Sequence, residues 1–194
     1  PLPAAPPAAP APKLALPPVS LTEAAGLLAQ VDAVSVPVTR PTPEPMEALG
    51  QDYGFILYSC RVSGPRAAAP LRLRQLRDRA LVFVDGALRG VLEREFPDRT
   101  LELAIPPGGA RLDLLVENQG RVNYGPDLLD RKGITEGVIL GQQYLYGWTI
   151  RCLPLTDLTR LSYGSAAPAA FPAFWRGRFR IDGQLCDSFL ALPG

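Results

Sequence analysis

Short apolar runs, each closed by a turn signal and recurring roughly every ten residues, limit what this chain can become more than any other feature of its sequence. Gly54-Phe55-Ile56-Leu57-Tyr58 and Ala80-Leu81-Val82-Phe83-Val84 are continuous apolar runs of strand length, as expected of strands buried on both faces. Thr100-Leu101-Glu102-Leu103-Ala104-Ile105 alternates with the period of a half-buried strand. Pro106-Pro107-Gly108-Gly109 breaks that pattern, and residues 111–117 resume it. Asp85-Gly86 can take the positive φ of a tight hairpin, with residues 89–95 as the returning strand. Further strands fit 137–145 and 147–153. The chain has 22 Pro and 18 Gly in 194 residues, many of them scattered between these runs. Helical patterns do not alternate with the strands, so a sandwich or jelly roll is predicted and a parallel α/β sheet is not.

The flanks read differently. Residues 1–18 contain eight prolines; proline fixes φ and removes an amide donor, so an extended linker is expected. Ser20-Leu21-Thr22-Glu23 fits a capping box, which predicts one short N-terminal helix over 21–30. Residues 161–172 are rich in Ser, Ala, Gly and Pro. Beyond them Trp175, Phe179 and Ile181 alternate with Arg176, Arg178 and Arg180, predicting a half-buried strand, and 186–192 reads as the next. The organisation expected is a linker (1–18), a first all-β domain (19–155), a second linker (156–171) and the opening strands of a second, truncated β-domain (172–194). The Pro/Ala tract at one end and Leu-Pro-Gly at the other suggest a segment of a longer protein.

Composition removes several chemistries. The chain has no histidine, so Ser-His-Asp and Cys-His catalysis and histidine metal sites are out of reach. Cys60, Cys152 and Cys186 form no CxxC pair, and spacing does not choose a disulfide among them. No metal or cofactor is predicted. A net charge of +1 calls for neither nucleic acid nor an anionic membrane, and no apolar run is long enough to span a bilayer.

Four groups of residues could carry function. Glycoside cleavage takes two carboxyl groups on opposite sides of the scissile bond; Glu93 and Glu95, like Asp113 and Glu117, share strand parity, which places each pair on one solvated face. Arg72, Arg74, Arg77 and Arg79 read as an exposed loop or strand face. Tyr144, Tyr146, Trp148, Tyr163 and Trp175 could stack on a sugar, although aromatics at strand spacing are more often core. Asn118-Gln119-Gly120-Arg121-Val122-Asn123-Tyr124-Gly125 follows a buried strand, and its glycines and asparagines specify a backbone shape around Arg121 and Tyr124. Either Arg121 pairs with a carboxylate such as Glu117 in a structural turn, or the loop contacts another domain.

Residues Leu112-Asp113-Leu114-Leu115-Val116-Glu117-Asn118-Gln119-Gly120-Arg121-Val122-Asn123-Tyr124-Gly125 resemble the signature "LDLLVEN-GRVNYG" of animal family 35 β-galactosidases. Residues 78–86 with 90–94 resemble the family's "DRAYV-VDG…GVLER", and 51–58 its "HYGF-LY", with Asp52 in place of the histidine. Residues 132–134 and 139–142 resemble the β-galactosidase-1-like branch. Pro172-Ala173-Phe174-Trp175 and 187–194 resemble the start of the last β-domain. The likeness runs in order from about Leu14 to Gly194. It implies galactose-binding-like jelly-roll domains that follow a TIM barrel. In that family the barrel carries the two glutamates of a double-displacement mechanism, and neither has a counterpart here. The resemblance further implies that Tyr124 approaches the sugar pocket, with Asn123 and Arg121 shaping its loop. The barrel of the same polypeptide and a galactoside would be its partners, homodimerisation is left open, and location would be lysosomal, vacuolar or secreted. A free-standing carbohydrate-binding module and a fragment without function are the competing expectations.

Overall fold

The computed structural model describes residues 16–165, 171–182, Cys186, Phe189 and Ala191. Most of the expected linker over 1–18 and four of the seven positions of the expected strand over 186–192 therefore lie outside the described residues. In chain order the strands are β1 (Glu23–Gly26), β2 (Val38–Arg40), β3 (Phe55–Val62), β4 (Arg66–Arg77), β5 (Arg79–Val84), β6 (Ala87–Glu93), β7 (Leu101–Ile105), β8 (Ala110–Glu117), β9 (Gly133–Leu140), β10 (Gln143–Tyr144), β11 (Trp148–Leu153), β12 (Gly164–Ser165) and β13 (Ala173–Arg176). Among the described residues, one helical turn, α1 (Val31–Val34), and a 3-10 turn at Met46–Leu49 complete the elements. Two compact units emerge, one spanning Leu27–Ser162 and one built from the stretches on either side of it.

The larger unit is an antiparallel sandwich, as the strand periodicity predicts. Its six-stranded sheet runs β2-β11-β3-β8-β5-β6 and its four-stranded sheet β10-β9-β4-β7. Alternation sets the register: Ile56, Tyr58, Cys60 and Val62 of β3 lie opposite Val116, Leu114, Leu112 and Ala110 of β8, and all join the buried core. The other sheet meets them with Leu71 and Leu76 of β4, Leu103 and Ile105 of β7, and Ile134, Val138 and Leu140 of β9. Each such side chain, removed from water, contributes about 1.5–3 kcal/mol before its ordering cost. Tyr58 crosses between the sheets. Its hydroxyl donates to the Glu44 carbonyl at 2.7 Å and accepts from the Ile134 amide at 3.2 Å, and its ring meets Trp148 edge-on at 6.4 Å. Burial pushes the Tyr58 hydroxyl well above the ordinary phenol range. Asp85 and Gly86 both take positive φ, the conformation a two-residue hairpin loop demands.

Of the arginines expected on an exposed loop or strand face, Arg79 opens β5, and Arg72, Arg74 and Arg77 lie together in the stretch 66–77. It is a twelve-residue strand, β4, paired with β7 on one side and β9 on the other. A bulge at Gln75, which takes positive φ, shifts its register.

The smaller unit contains the three-stranded sheet β12-β1-β13. Here the predicted helix over 21–30 gives way to a strand at Glu23–Gly26, and the helical turn lies later, at Val31–Val34. The Glu23 carboxylate does not cap a helix. It takes two hydrogen bonds from the Arg176 guanidinium, at 2.9 and 2.7 Å, and these hold it below the ordinary carboxylate range. Long-range pairing of the backbone with β13 overrides a weak local preference. Arg176 also sits over the Tyr163 ring at 3.9 Å. The strand predicted to run past Arg176 stops there, where Thr22 donates to the Arg176 carbonyl at 3.1 Å. A side chain at Gly177 would meet the Ser20 carbonyl at 2.6 Å.

Candidate functional site

The loop between β8 and β9 joins the two sheets of the sandwich and carries the three residues singled out by sequence. Its first leg is fixed from the start. The Asn118 amide donates to the Gly54 carbonyl at 3.0 Å, its side-chain amide donates to the Asp52 carbonyl at 2.9 Å, and its side-chain oxygen accepts the Gly120 amide at 2.9 Å. Gly120 and Gly125 both take positive φ, as the glycine-rich pattern requires.

Arg121 does not pair with Glu117, the partner the sequence suggests. Its guanidinium reaches Glu47 at 2.5 Å and the carbonyls of Asp52 and Asp130 at 2.9 and 3.4 Å. Glu117 is taken instead by Arg79, at 3.4 Å. Asn123 is exposed, and Tyr124 is 88% exposed. Leu128 and Leu129 are exposed beside them in sequence. The structure thus places Arg121 in the base of the loop and Asn123 and Tyr124 at its tip.

Beneath the loop lies a cluster of charges that sequence reasoning missed. Lys132, 1% exposed, donates to both oxygens of Asp78, at 2.9 and 2.8 Å. Arg94 contacts Asp78, Asp127 and Asp130 at 3.2, 3.0 and 2.5 Å. Arg77 approaches Asp130 at 3.4 Å. Burial alone would push the Asp78 carboxyl up. The hydrogen bonds from Lys132, the Gln119 amide and Arg94 outweigh it and hold that carboxyl below its ordinary range. Burial likewise opposes the charge on Arg94, and Asp78 and Asp130 overcome it, raising its pKa. One signal in the sequence bears on this cluster: Lys13 and Lys132 are the only lysines in a chain with 20 basic residues.

The arrangement bears directly on acid–base chemistry. Asp78 and Asp130 lie together, but Arg94 and Lys132 bridge them. The Asp78 carboxyl, held ionised by the hydrogen bonds from Lys132 and Arg94, is a poor general acid at neutral pH. Of the other acids considered from sequence, Glu95 lies beyond the end of β6 and is exposed, so it shares no strand face with Glu93, and Asp113, expected on a solvated face, is buried. Glu93 pairs with Arg79 at 3.5 Å, and Asp113 accepts from Ser59 at 2.5 Å and from Arg111 at 2.9 Å. Among the described residues no three His, Cys, Asp or Glu side chains are grouped to hold a metal. In the larger unit Tyr144, Tyr146 and Trp148 do not form one platform. Trp148 is core, Tyr163 lies under Arg176, and Tyr144 and Tyr146 form a tilted, exposed pair 6.5 Å apart. Cys60 and Cys152 are free thiols. Burial, then the Asp113 charge, pushes Cys60 up to about 12.

Fold and site together define an all-β sandwich with a tethered inter-sheet loop. Comparison with known proteins gives that class a family. The family model described as β-galactosidase, first all-beta domain, matches residues 43–155, and the chain belongs to that family. It is 42% identical over 188 residues to a β-galactosidase of Xanthomonas manihotis, covering 95% of this chain and 31% of the relative. It is 34% identical to a β-galactosidase-1-like protein of Mus musculus, covering 95% of this chain and 30% of that one. Against the Homo sapiens β-galactosidase it is 35% identical, covering 94% of this chain and 30% of the relative. The chain therefore spans less than a third of the length of these relatives.

Proposed function

We propose that this chain is the supporting, non-catalytic segment of a family 35 β-galactosidase, the parent enzyme removing terminal β-galactose residues. The observation that carries the reading is the family match over 113 consecutive positions, residues 43–155, in a sandwich whose neighbouring buried acids, Asp78 and Asp130, are neutralised by cations. On this reading the sandwich is the first, jelly-roll β-domain, and residues 172–194 open a second one. The sandwich supports a TIM barrel supplied by the rest of the parent, and the loop tip forms one wall of the sugar pocket. Tyr124 touches the galactoside, Asn123 lies beside it, and Arg121 shapes the base. A lysosomal, vacuolar or secreted location follows from the same reading.

Assay with a chromogenic β-galactoside tests it. The 194-residue chain should be inactive alone, and the chain joined to its barrel should be active. Replacing Tyr124→Phe in the joined protein should lower kcat/KM by about tenfold, the loss of one hydrogen bond to a polar ligand group. Galactose release by the chain alone defeats the supporting role. An unaltered kcat/KM removes Tyr124 from the pocket.

A further inference from the structure

Two carboxylates outside the loop each hold both of its legs. Asp78, between β4 and β5, accepts the Gln119 amide at 3.0 Å from the first leg and the Lys132 ammonium at 2.8 Å from the second. Glu47, in the 3-10 turn, accepts the Arg121 guanidinium at 2.5 Å from the first leg and the Lys132 amide at 3.1 Å from the second. The two anchors stand on separate elements of the framework, so together they fix the neck of the loop in position and in orientation. Burying charge for stability alone is a poor strategy, since well-packed apolar side chains do as well or better. What charge-assisted hydrogen bonds add is direction. At the tip the pattern inverts: Tyr124 and Leu129 are 88% and 92% exposed.

We infer that Asp78 and Glu47 are positioning residues: they pin the loop neck so that its tip is presented in one place. Touching no substrate themselves, they set turnover through Tyr124. The second half of this inference rests on the reading that Tyr124 walls the sugar pocket; the first half does not. A displacement of about 1 Å in a positioned group can cost about a hundredfold in rate, so loosening the neck should be visible in catalysis.

The first arm of the test uses the 194-residue chain and amide exchange read by mass spectrometry. Asp78→Asn and Glu47→Gln should each speed exchange over residues 119–131 by about tenfold or more, leaving β3 and β8 nearly unchanged. Should Asp78→Asn fail to fold, Glu47→Gln still decides, because its partly exposed side chain leaves the core intact. Unchanged exchange in Glu47→Gln overturns the neck-pinning role. The second arm joins the chain to its barrel and runs a double-mutant cycle. Glu47→Gln should lower kcat/KM at least tenfold when Tyr124 is present and add almost nothing in a Tyr124→Phe background, and Glu47→Asp should restore part of the loss. Additive losses overturn the positioning role. If Tyr124→Phe alone costs nothing, the sugar-wall reading fails, and the first arm still judges the neck.

Discussion

The two sheets of the sandwich share one core and meet their surroundings in opposite ways. The six-stranded sheet buries side chains on both faces: behind Ile56, Leu114 and Val82, which point to the core, Leu57, Leu115 and Leu81 are buried as well, beside the buried polar pair Ser59 and Asp113. The four-stranded sheet turns Leu71, Leu103 and Val138 inward and presents Arg72, Arg74, Glu102 and Glu136 on its exposed positions. An antiparallel sheet can leave one face in water, and the sequence of its strands then alternates. The difference teaches where substitutions should hurt. In the first sheet both parities carry packing energy; in the second only one does.

The largest effect should come from the doubly buried sheet. Leu114→Ala and Leu57→Ala, on opposite faces, should each cost about 2–5 kcal/mol, read from urea unfolding midpoints at constant slope. A cost near zero for Leu57→Ala would break the comparison, because its face would then lack a packed surround. Next comes the charge cluster between the sheets. Asp78→Asn leaves the Lys132 ammonium buried without its anion, at a cost of about 3 kcal/mol or more. The pair Asp78→Leu with Lys132→Met should cost less than the single change. If the double variant is the worse of the two, direction is not what the ion pair supplies.

A third effect is set by acidity. Because the folded Asp78 carboxyl lies below its unfolded value of about 3.9, its contribution is whole above about pH 4 and is lost as pH falls through the folded value. Stability measured from pH 5 to 2 should therefore decline less steeply in Asp78→Asn than in the unaltered chain. Parallel curves would show that other carboxyls dominate acid unfolding. The smallest effect belongs to the solvated face. Arg72→Ala and Arg74→Ala should stay within about 0.5 kcal/mol, although Arg74 pairs with Glu136 at 3.1 Å. A larger loss at either would mean that this face is covered.

The same contrast explains what could be read in advance. β3, β5 and β8 bury apolar residues on both faces, so they stand out as runs, and the turn after β5 at Asp85-Gly86 is a local signal. β4 hid behind its arginines, and its bulge at Gln75 breaks the alternation that would have revealed it. The helix expected over 21–30 rested on local signals alone, whereas Glu23 is claimed by Arg176, 153 positions away. At the site, Arg121 and Tyr124 were legible because glycines and asparagines shape a loop locally. Asp78 and Lys132 were not: they are 54 positions apart, and only the closed sandwich brings an acid and an ammonium together out of water.

Cys60 gives the closed sandwich a chemical memory. Its sulfur sits in the core on β3 with its proton held to about pH 12, and alkylating reagents attack the thiolate of an accessible cysteine. Labelling at that position therefore waits for β3 to part from its neighbours. The rate of mass gain on the peptide containing Cys60 counts those openings, with Cys152, less deeply covered, as the faster internal reference.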